Sequence, residues 1–220
     1  MILYQDEHLL LVEKPVGVLS QAAADGSDSL PRRLAEQGLS VLPVHRLDRA
    51  TGGVMAYART EQSAAALSRL VGQHEDFIKE YLAVVAGCPA EETGTLEDLL
   101  YHDVKRNKSF VVKRPRNGVR KASLSYRVLQ TAECSQGVFS LVQIRLHTGR
   151  THQIRVQFAS RGMPLAGDSR YGGLRTCPLA LWSCRLTFPH PFTQQDLTAE
   201  SRPDAAAFPW NLFTLIGGET

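Results

Sequence analysis

The sequence predicts a single α+β domain built on a mixed, largely antiparallel β-sheet that is flanked by helices and loops. Two observations support this fold class. Short apolar segments recur along most of the chain and are separated by turns rich in glycine and proline, which is typical of strands. Only a few segments show the helical spacing of apolar residues. Hydrophobic residues make up 43% of the 220 residues and charged residues 21%, which is ordinary for a globular protein.

The first half of the chain is predicted to contain four strands and two short helices. Lys14-Pro-Val-Gly17 closes the first strand, because Pro fixes φ and Gly permits the chain to reverse. Pro31 near the first turn and Gly38 past the end favour a helix. Thr60, with Ser63 and Glu61 close to it, provides capping groups for the start of a second one. The strands are expected at 8–13, 41–47, 54–58 and 77–86, and the helices at 31–38 and 60–71.

The second half is predicted to be richer in strands. Residues 95–131 favour two or three strands joined by basic loops, and Val138–Leu146 a further strand. A helix is expected over 151–161, because Ile154 and Phe158 lie one turn apart and Gly162 ends the pattern. A late strand at 179–188 and a last short helix within 203–215 complete the prediction.

Composition argues against several classes of protein. No apolar run approaches the roughly 20 residues that a membrane helix needs, and the N-terminus lacks the features of a signal peptide. We therefore expect a cytoplasmic protein. The four cysteines show no CxxC spacing, so a structural metal and disulfides are not expected, and the thiols should be reduced and mostly buried. They are Cys88, Cys134, Cys177 and Cys184.

Charge is distributed unevenly along the chain. The net charge is only +3, but residues 104–167 contain thirteen Lys or Arg and one acidic residue, Glu133. Such an excess favours a surface that faces a polyanion such as nucleic acid. A solvated basic surface without a partner remains the alternative.

One candidate site follows the predicted strand at 41–47. His45-Arg46-Leu47-Asp48 precedes a turn that contains Thr51 and two glycines. Neighbouring arginines keep a carboxylate ionised, and glycines allow a ligand to approach the backbone closely. The alternative is an aspartate that caps the turn and forms a local ion pair.

Three other segments carry candidate binding residues. Arg150, His152 and Arg155 surround a predicted helix start, where free N–H groups favour an anion; a surface ion-pair network is the alternative. Tyr81 lies in an apolar strand, where most tyrosines belong to the core. The basic stretch 105–121 is suited to phosphate contacts, although a solvated hairpin would look the same, and its candidate residues are Lys113, Arg114 and Arg116.

Together these segments resemble the RluA-type pseudouridine synthases. The matching motifs are His45-Arg-Leu-Asp48-x-x-Thr51, Lys79-x-Tyr81-Leu-Ala and Gly149-Arg-Thr-His-Gln-Ile-Arg155. Further similar blocks lie at 4–17, 167–172 and 185–191, so the resemblance covers about residues 4–200. It implies that residues 1–220 form one pseudouridine synthase catalytic domain, without the S4-like RNA-binding domain of many relatives. Gly52 departs from the family, which usually has Ser or Thr there.

The resemblance also implies roles for the candidate residues. Asp48 would be the essential catalytic carboxylate, with Arg155 paired to it and Tyr81 stacked on a flipped uracil. Arg46 would enter the space that the base leaves or hold a phosphate, and His45 would support the turn. Ribosomal or transfer RNA would be the substrate, and no cofactor, metal or obligate protein partner is expected for a protein that is a monomer by default. Thr51, Arg150, His152, Lys113, Arg114 and Arg116 would contact RNA.

Three other functions stay open at this point. A protein of this family with a decayed site would bind RNA without modifying it. A hydrolase of glycosidic bonds would need a second carboxylate across the scissile bond, and only Asp48 lies in a matching motif. A structural protein of the ribosome would bind RNA and leave its uridines unchanged.

Overall fold

The computed structural model describes residues 1–73 and 76–215. The chain divides into two compact units, which are described separately. Unit 1 contains Met1–Glu80 and Trp182–Pro203, and unit 2 contains Tyr81–Leu181 and the chain from Asp204 onward. The elements are β1 (Ile2–Gln5), β2 (Leu9–Lys14), α1 (Leu30–Ala35), β3 (Leu42–Pro43), β4 (Gly52–Ala58), α2 (Glu61–Gln73), β5 (Ile78–Ala86), β6 (Thr93–Asp103), β7 (Lys108–Val112), β8 (Val119–Cys134), β9 (Gly137–Leu146), α3 (Gln153–Ala159), β10 (Leu181–Pro189), β11 (Asp196–Glu200) and a 3₁₀ turn (Trp210–Leu212).

Unit 1 is organised around β4, whose residues are all buried. Strand β2 pairs antiparallel with β4 along its whole length. Strand β10 pairs with the beginning of β4 in parallel, where Trp182 lies beside Gly52, and β3 pairs with its end. Strands β1 and β11 extend the sheet from β2 and β10 in antiparallel pairing. The predicted mixed, largely antiparallel sheet is confirmed.

The core of unit 1 lies on one face of this sheet. Phe77 and Phe188 stack there with their ring centroids 4.7 Å apart, and Leu67 of α2 packs on the same face. Burial of each large apolar side chain contributes about 1.5–3 kcal/mol. This packing holds β4 in place and with it the point where the preceding loop enters the sheet. The buried residues of this core are Leu9, Leu11, Val54, Ala56, Ala58, Leu67, Phe77, Leu186, Phe188 and Ala199.

Unit 2 contains the longest strands. Strand β8 pairs antiparallel with β9 on one side and with β6 on the other, while β7 pairs with the far part of β6 and β5 flanks β9. Two exposed loops follow from this order, at 104–107 and 113–118, one at each end of β7.

Helix α3 packs on the strands of unit 2. Val156 lies in a small apolar cluster with Leu100 and the partly buried Tyr171. The buried amide of Gln157 donates to the backbone carbonyl of Leu96 at 3.1 Å. These contacts fix the orientation of the helix that carries Arg155.

Most predicted elements are present, but some predictions are wrong. Only Leu42–Pro43 of the predicted strand at 41–47 pairs as a strand, because the following backbone bonds to side chains instead. The predicted last helix is only a 3₁₀ turn. The short strands β1 and β11 were not predicted. The thiols are not mostly buried, since Cys184 is the buried one, Cys88 is exposed and the other two are intermediate.

The capping interaction predicted at the start of α2 is confirmed. The backbone N–H of Ser63 donates to Thr60 Oγ1, and the backbone N–H of Thr60 donates to Ser63 Oγ, each at 3.1 Å. This reciprocal pair satisfies N–H groups that a helix start leaves open. Across the described residues, none of the helices has the length and apolar character that crossing a lipid bilayer requires.

Candidate active site

Asp48 lies in unit 1 on a loop that we call the Asp48 turn (residues 47–51). The backbone N–H of Thr51 donates to the Asp48 carbonyl at 3.0 Å. Just before Asp48, the Ser20 hydroxyl accepts from the Leu47 N–H at 3.0 Å and donates to the Leu47 carbonyl at 2.8 Å. One serine thus satisfies both backbone groups of a buried residue, and it fixes the chain next to the carboxylate.

The other side of the Asp48 turn is held by the loop after β2. Gly17 donates its N–H to the Arg49 carbonyl, and Arg49 Nε donates to the Gly17 carbonyl, both at 2.8 Å. Gly17 has a φ of 87°, a conformation that glycine adopts without strain. The predicted Lys14–Gly17 turn therefore supports the segment that carries Asp48.

Lys14 is a site residue that sequence reasoning treated only as part of a turn. It is fully buried, and its ammonium donates to the carbonyls of Pro15 at 2.9 Å, Val18 at 2.7 Å and Arg49 at 3.4 Å. Burial lowers the pKa of Lys14 to about 8, and the negative charge of Asp48 opposes this shift. A buried cation therefore lies within electrostatic range of the candidate carboxylate. A lysine that ends an apolar strand was the available signal.

His45 is neutral and takes part in the structure of the loop. Its Nε2 accepts the backbone N–H of Ala56 at 3.0 Å, and its ring lies edge-on to Phe77 with the centroids 5.5 Å apart. Burial lowers the pKa of His45 to about 3, and the positive charge of Lys79 adds to this. An imidazole with this pKa does not act as an acid at neutral pH.

Two other predicted residues of unit 1 differ in exposure. Arg46 is exposed to solvent. Thr51 is 2% exposed, and its Oγ1 has no hydrogen-bond partner among the residues that the structure describes. A buried hydroxyl without a partner costs about 1–3 kcal/mol, so this atom is suited to bonding with a ligand.

In unit 2, Arg155 projects from α3 and is held by an acid that sequence reasoning did not assign to the site. Its Nε donates to Asp168 Oδ2 at 2.7 Å and its Nη2 donates to Oδ1 at 2.8 Å. Both side chains are buried, and the guanidinium carbon lies 5.3 Å from the centre of the Tyr171 ring. This bidentate pair fixes the plane of the guanidinium. Gly167-Asp-Ser-Arg-Tyr-Gly172, which contains both new residues, was noted only as a similar block.

His152 and Tyr171 connect the start of α3 to strand β7, which lies in the basic stretch 105–121. The Tyr171 hydroxyl lies 3.0 Å from His152 Nδ1 and accepts the backbone N–H of Ser109 at 2.7 Å. The Ser109 hydroxyl donates to the Thr151 carbonyl at 2.6 Å. Burial raises the pKa of Tyr171, so its hydroxyl stays protonated. Strand β7 and the segment before α3 are therefore joined by side-chain hydrogen bonds.

The start of α3 differs from the expected anion site. The helix begins at Gln153, two residues later than predicted, and has only seven residues. The backbone N–H of Arg150 donates to Gln153 Oε1 at 3.0 Å, so it is bonded within the protein rather than open to an anion. The exposed Arg150 side chain donates to the Lys121 carbonyl at 3.0 Å.

The remaining predicted residues are Tyr81 and the three cations of the loop between β7 and β8 (residues 113–118). Tyr81 lies in β5 and is 6% exposed. The β7–β8 loop is exposed along its length, and Arg116 lies with its guanidinium carbon 4.7 Å from the centre of the Tyr101 ring. Three cations on one exposed loop form a surface suited to phosphates. They are Lys113, Arg114 and Arg116.

Comparison with known proteins identifies the family. The family model for RNA pseudouridylate synthase matches residues 8–160. The tRNA pseudouridine synthase C of Vibrio cholerae is 31% identical, with 92% of this chain and 91% of that protein covered. Ribosomal large subunit pseudouridine synthase D of Xanthomonas campestris is 33% identical over 91% of this chain, which spans 60% of that relative's length.

The fold agrees with this result. The solved structure of human RNA Pseudouridylate Synthase Domain Containing 1 has a TM-score of 0.78 at 22% identity and covers 93% of this chain and 83% of its own. Fold and family model together define an RNA-modifying isomerase class. The chain belongs to the RNA pseudouridylate synthase family, and the predicted resemblance to its RluA-type members is confirmed.

The buried Arg155–Asp168 pair is expected to be important for stability. Asp168→Asn keeps the shape of the side chain but leaves a buried guanidinium without its charged partner, which should lower the free energy of unfolding by about 3 kcal/mol or more. Urea denaturation measures this loss. The matched control is Asp28→Asn, which breaks an exposed pair with Arg33 and should leave the denaturation midpoint unchanged. Equal midpoints for the two variants would contradict this account of Arg155.

The lowered pKa of Lys14 predicts that the stability of the folded protein depends on pH. Its pKa in the folded protein, about 8, lies below the roughly 10.4 of an unfolded chain. The unfolded state therefore binds more protons between these values, and the free energy of unfolding should rise as the pH increases from about 8 to about 10. Lys79, with its pKa also lowered to about 8 by burial, contributes with the same sign.

The contribution of Lys14 is separated by mutation. In Lys14→Met the rise should be smaller than in the wild type by about 1–2 kcal/mol. The control is Lys105→Met, at an exposed position, which should keep the wild-type slope. Urea denaturation at several pH values measures the slopes. An unchanged slope in Lys14→Met would show that the pKa of this amine is not lowered in the folded state.

Proposed function

We propose that this chain is an RNA pseudouridine synthase that isomerises particular uridines in ribosomal RNA, transfer RNA or both. The observation that carries the proposal is the family match over residues 8–160, which includes Asp48 and Arg155. Relatives are named for both RNA classes.

The reaction is chemically balanced within the substrate. The N1–C1′ bond breaks, the uracil turns, and C5 bonds to C1′ while the proton of C5 is lost and N1 gains one. No electron is transferred to another molecule, so we expect the reaction to need neither a cofactor nor a metal. A stacked base is not reachable, so the target uridine must be flipped out or presented in an unstacked loop.

We assign the essential step to Asp48. Its carboxylate would attack C1′, add to the ring or remove a ribose proton, and all three routes require it to be ionised. The buried ammonium of Lys14 interacts with the charge of Asp48. We further propose, on the strength of the family resemblance, that Arg155 pairs with Asp48 during the reaction.

The other predicted residues would bind the substrate. Tyr81 would stack on the flipped uracil, a contact worth roughly 1–3 kcal/mol. The exposed Arg46 would fill the space that the base leaves or hold a nearby phosphate. The Thr51 hydroxyl, which has no partner among the described residues, is suited to a polar atom of the nucleotide. His45 would support the turn, and Arg150 and His152 would contact RNA.

We propose that the RNA backbone lies against the basic loops of unit 2. Residues 104–167 contain thirteen Lys or Arg and a single acidic residue. Of the cations, Lys113, Arg114 and Arg116 are exposed. We also propose that residues 1–220 act as one catalytic domain, as a monomer and in the cytoplasm, where ribosomal and transfer RNA are found.

Asp48→Asn is expected to abolish pseudouridine formation and to leave RNA binding nearly unchanged, because the amide is isosteric but lacks the charge that the reaction requires. Mapping of pseudouridines in total RNA should show one or a few sites that disappear without the gene. The wild-type gene should restore them and Asp48→Asn should not. Asp196→Asn, at an exposed position in β11, is the matched control and should restore them.

Assays of the purified protein, together with the gene deletion, separate the alternatives. Release of free uracil by the purified protein would favour a glycosidic hydrolase. RNA binding with no site lost on gene deletion would favour a binding protein. Substantial turnover by Asp48→Asn would remove Asp48 from its proposed role.

Replacing Lys113, Arg114 and Arg116 with glutamine is expected to weaken RNA binding and to flatten its dependence on salt. Each lost phosphate contact lowers the slope of log K against log salt by about 0.7–0.9, so the slope should fall by about 2. Binding measured from low to physiological salt provides the slope. The control carries the same charge change on unit 1, with Arg32, Arg33 and Arg69 replaced; an equal effect of the two triple variants would indicate only net charge.

A further inference from the structure

Gly52 leaves no room for a side chain, because an indole occupies the space. A Cβ built on Gly52 would lie 2.3 Å from Trp182 Cζ3 and 2.8 Å from Cε3. Ordinary carbon contacts are about 3.5–4.0 Å. The six-membered ring of Trp182 therefore lies directly against the backbone of Gly52, and any other residue at position 52 would have to displace the ring or the chain.

The indole is fixed at its far end by polar contacts. Its Nε1–H donates to Ser201 Oγ at 3.1 Å, and the Ser201 hydroxyl donates to Glu13 Oε2 at 2.6 Å. Glu13 belongs to β2 and pairs with Val54 of β4. The ring is therefore held between two strands that both pair with β4, and moving it aside would break this chain of hydrogen bonds.

The backbones of the two strands are also close at this point. Trp182 lies beside Gly52 and Ser183 beside Gly53 in parallel register. A Cβ on Gly53 would lie 2.2 Å from the Ser183 carbonyl oxygen, and the Ser183 hydroxyl donates to the Val54 carbonyl at 3.0 Å. The chain leaving the Asp48 turn thus has no freedom to shift towards β10.

We infer that Trp182 is a positioning residue for Asp48, acting through the glycine at position 52. Gly52 directly follows the four residues from Asp48 to Thr51, which are closed by the Thr51 N–H bond to the Asp48 carbonyl. The indole limits where this segment enters β4, and so it determines how Asp48 and the buried Thr51 hydroxyl are presented. The inference rests on the proposed function for its catalytic consequence.

A double-mutant cycle at positions 52 and 182 tests the inference. The variants are Gly52→Ala, Trp182→Ala and the double variant, assayed for pseudouridine formation well below the unfolding midpoint of each. Gly52→Ala should lower kcat by about 10- to 100-fold, because a displacement near 1 Å has that effect on an aligned group, and KM should change little. Gly72→Ala is the matched control: the space around Gly72 in α2 is open, so kcat should stay at the wild-type value.

The double variant gives the decisive comparison. With the indole removed, the methyl group at position 52 no longer meets a ring, so the double variant should lose no more kcat than Trp182→Ala alone. Additive losses would overturn the inference. So would a cycle in which the residues are coupled in thermal stability while kcat of the folded variants is unchanged, since that would make Trp182 a packing residue only.

Fluorescence provides a readout that does not depend on catalysis. The sequence has two tryptophans, so Trp210→Phe leaves Trp182 as the sole emitter. In this background Gly52→Ala should make Trp182 more accessible to acrylamide, and unchanged quenching would mean that the methyl group does not displace the ring.

An inactive wild-type protein would refute the proposed function. An active wild type in which the losses of kcat from the two substitutions are additive would refute the inference alone.

Discussion

Buried hydrogen bonds to backbone carbonyls determine the path of the Asp48 turn, because this loop has no helix or sheet ladder of its own. Lys14 donates three bonds to carbonyls, one of them that of Arg49 in the turn, and Ser20 bonds to both the carbonyl and the N–H of Leu47. Leaving a buried carbonyl without a donor costs about 1–3 kcal/mol, and a pKa lowered by about two units costs a similar amount. The bonds and the charge of Asp48 offset part of the burial, so the pKa of Lys14, at about 8, still lies above neutral pH.

Unit 2 also holds a buried charged side chain in place through hydrogen bonds. Arg155 is buried on a short helix, and Asp168 binds it through two oxygens while the Tyr171 ring lies beside it. The hydroxyl of the same tyrosine accepts from Ser109 of β7. The strand between the two basic loops is therefore linked, through one aromatic residue, to the environment of a proposed catalytic arginine.

The sequence allowed prediction of the elements whose signals are local. A continuous apolar run located β2, β-branched and aromatic residues located β5, and alternating apolar residues located β9. The cap of α2 followed from Thr60 and Ser63. Strand β3 was overestimated, because Ser20 satisfies the backbone at Leu47 from 27 residues away, and no local pattern shows this. The family motifs identified Asp48, Tyr81 and Arg155.

The supporting residues could not be predicted for the same reason. Asp168 interacts with Arg155 across 13 residues of chain, and Trp182 meets Gly52 only because β10 pairs with β4. Such contacts depend on which strands become neighbours. The absent side chain at position 52 was noticed as a departure from the family, but the ring that fills its space is visible only once the sheet is formed.

The order of the strands in unit 1 also bears on how the chain folds during synthesis. Unit 1 is discontinuous, with residues 81–181 of unit 2 inserted between Glu80 and Trp182. Its central strand, β4, is made early, yet the parallel partner β10 leaves the ribosome only after about a hundred further residues have been added. Closing so long a loop is slow and entropically costly. The start of β4, at Gly52 and Gly53, therefore stays without its parallel partner until β10 has been made, whereas the hairpins of unit 2 form from neighbouring segments as they emerge.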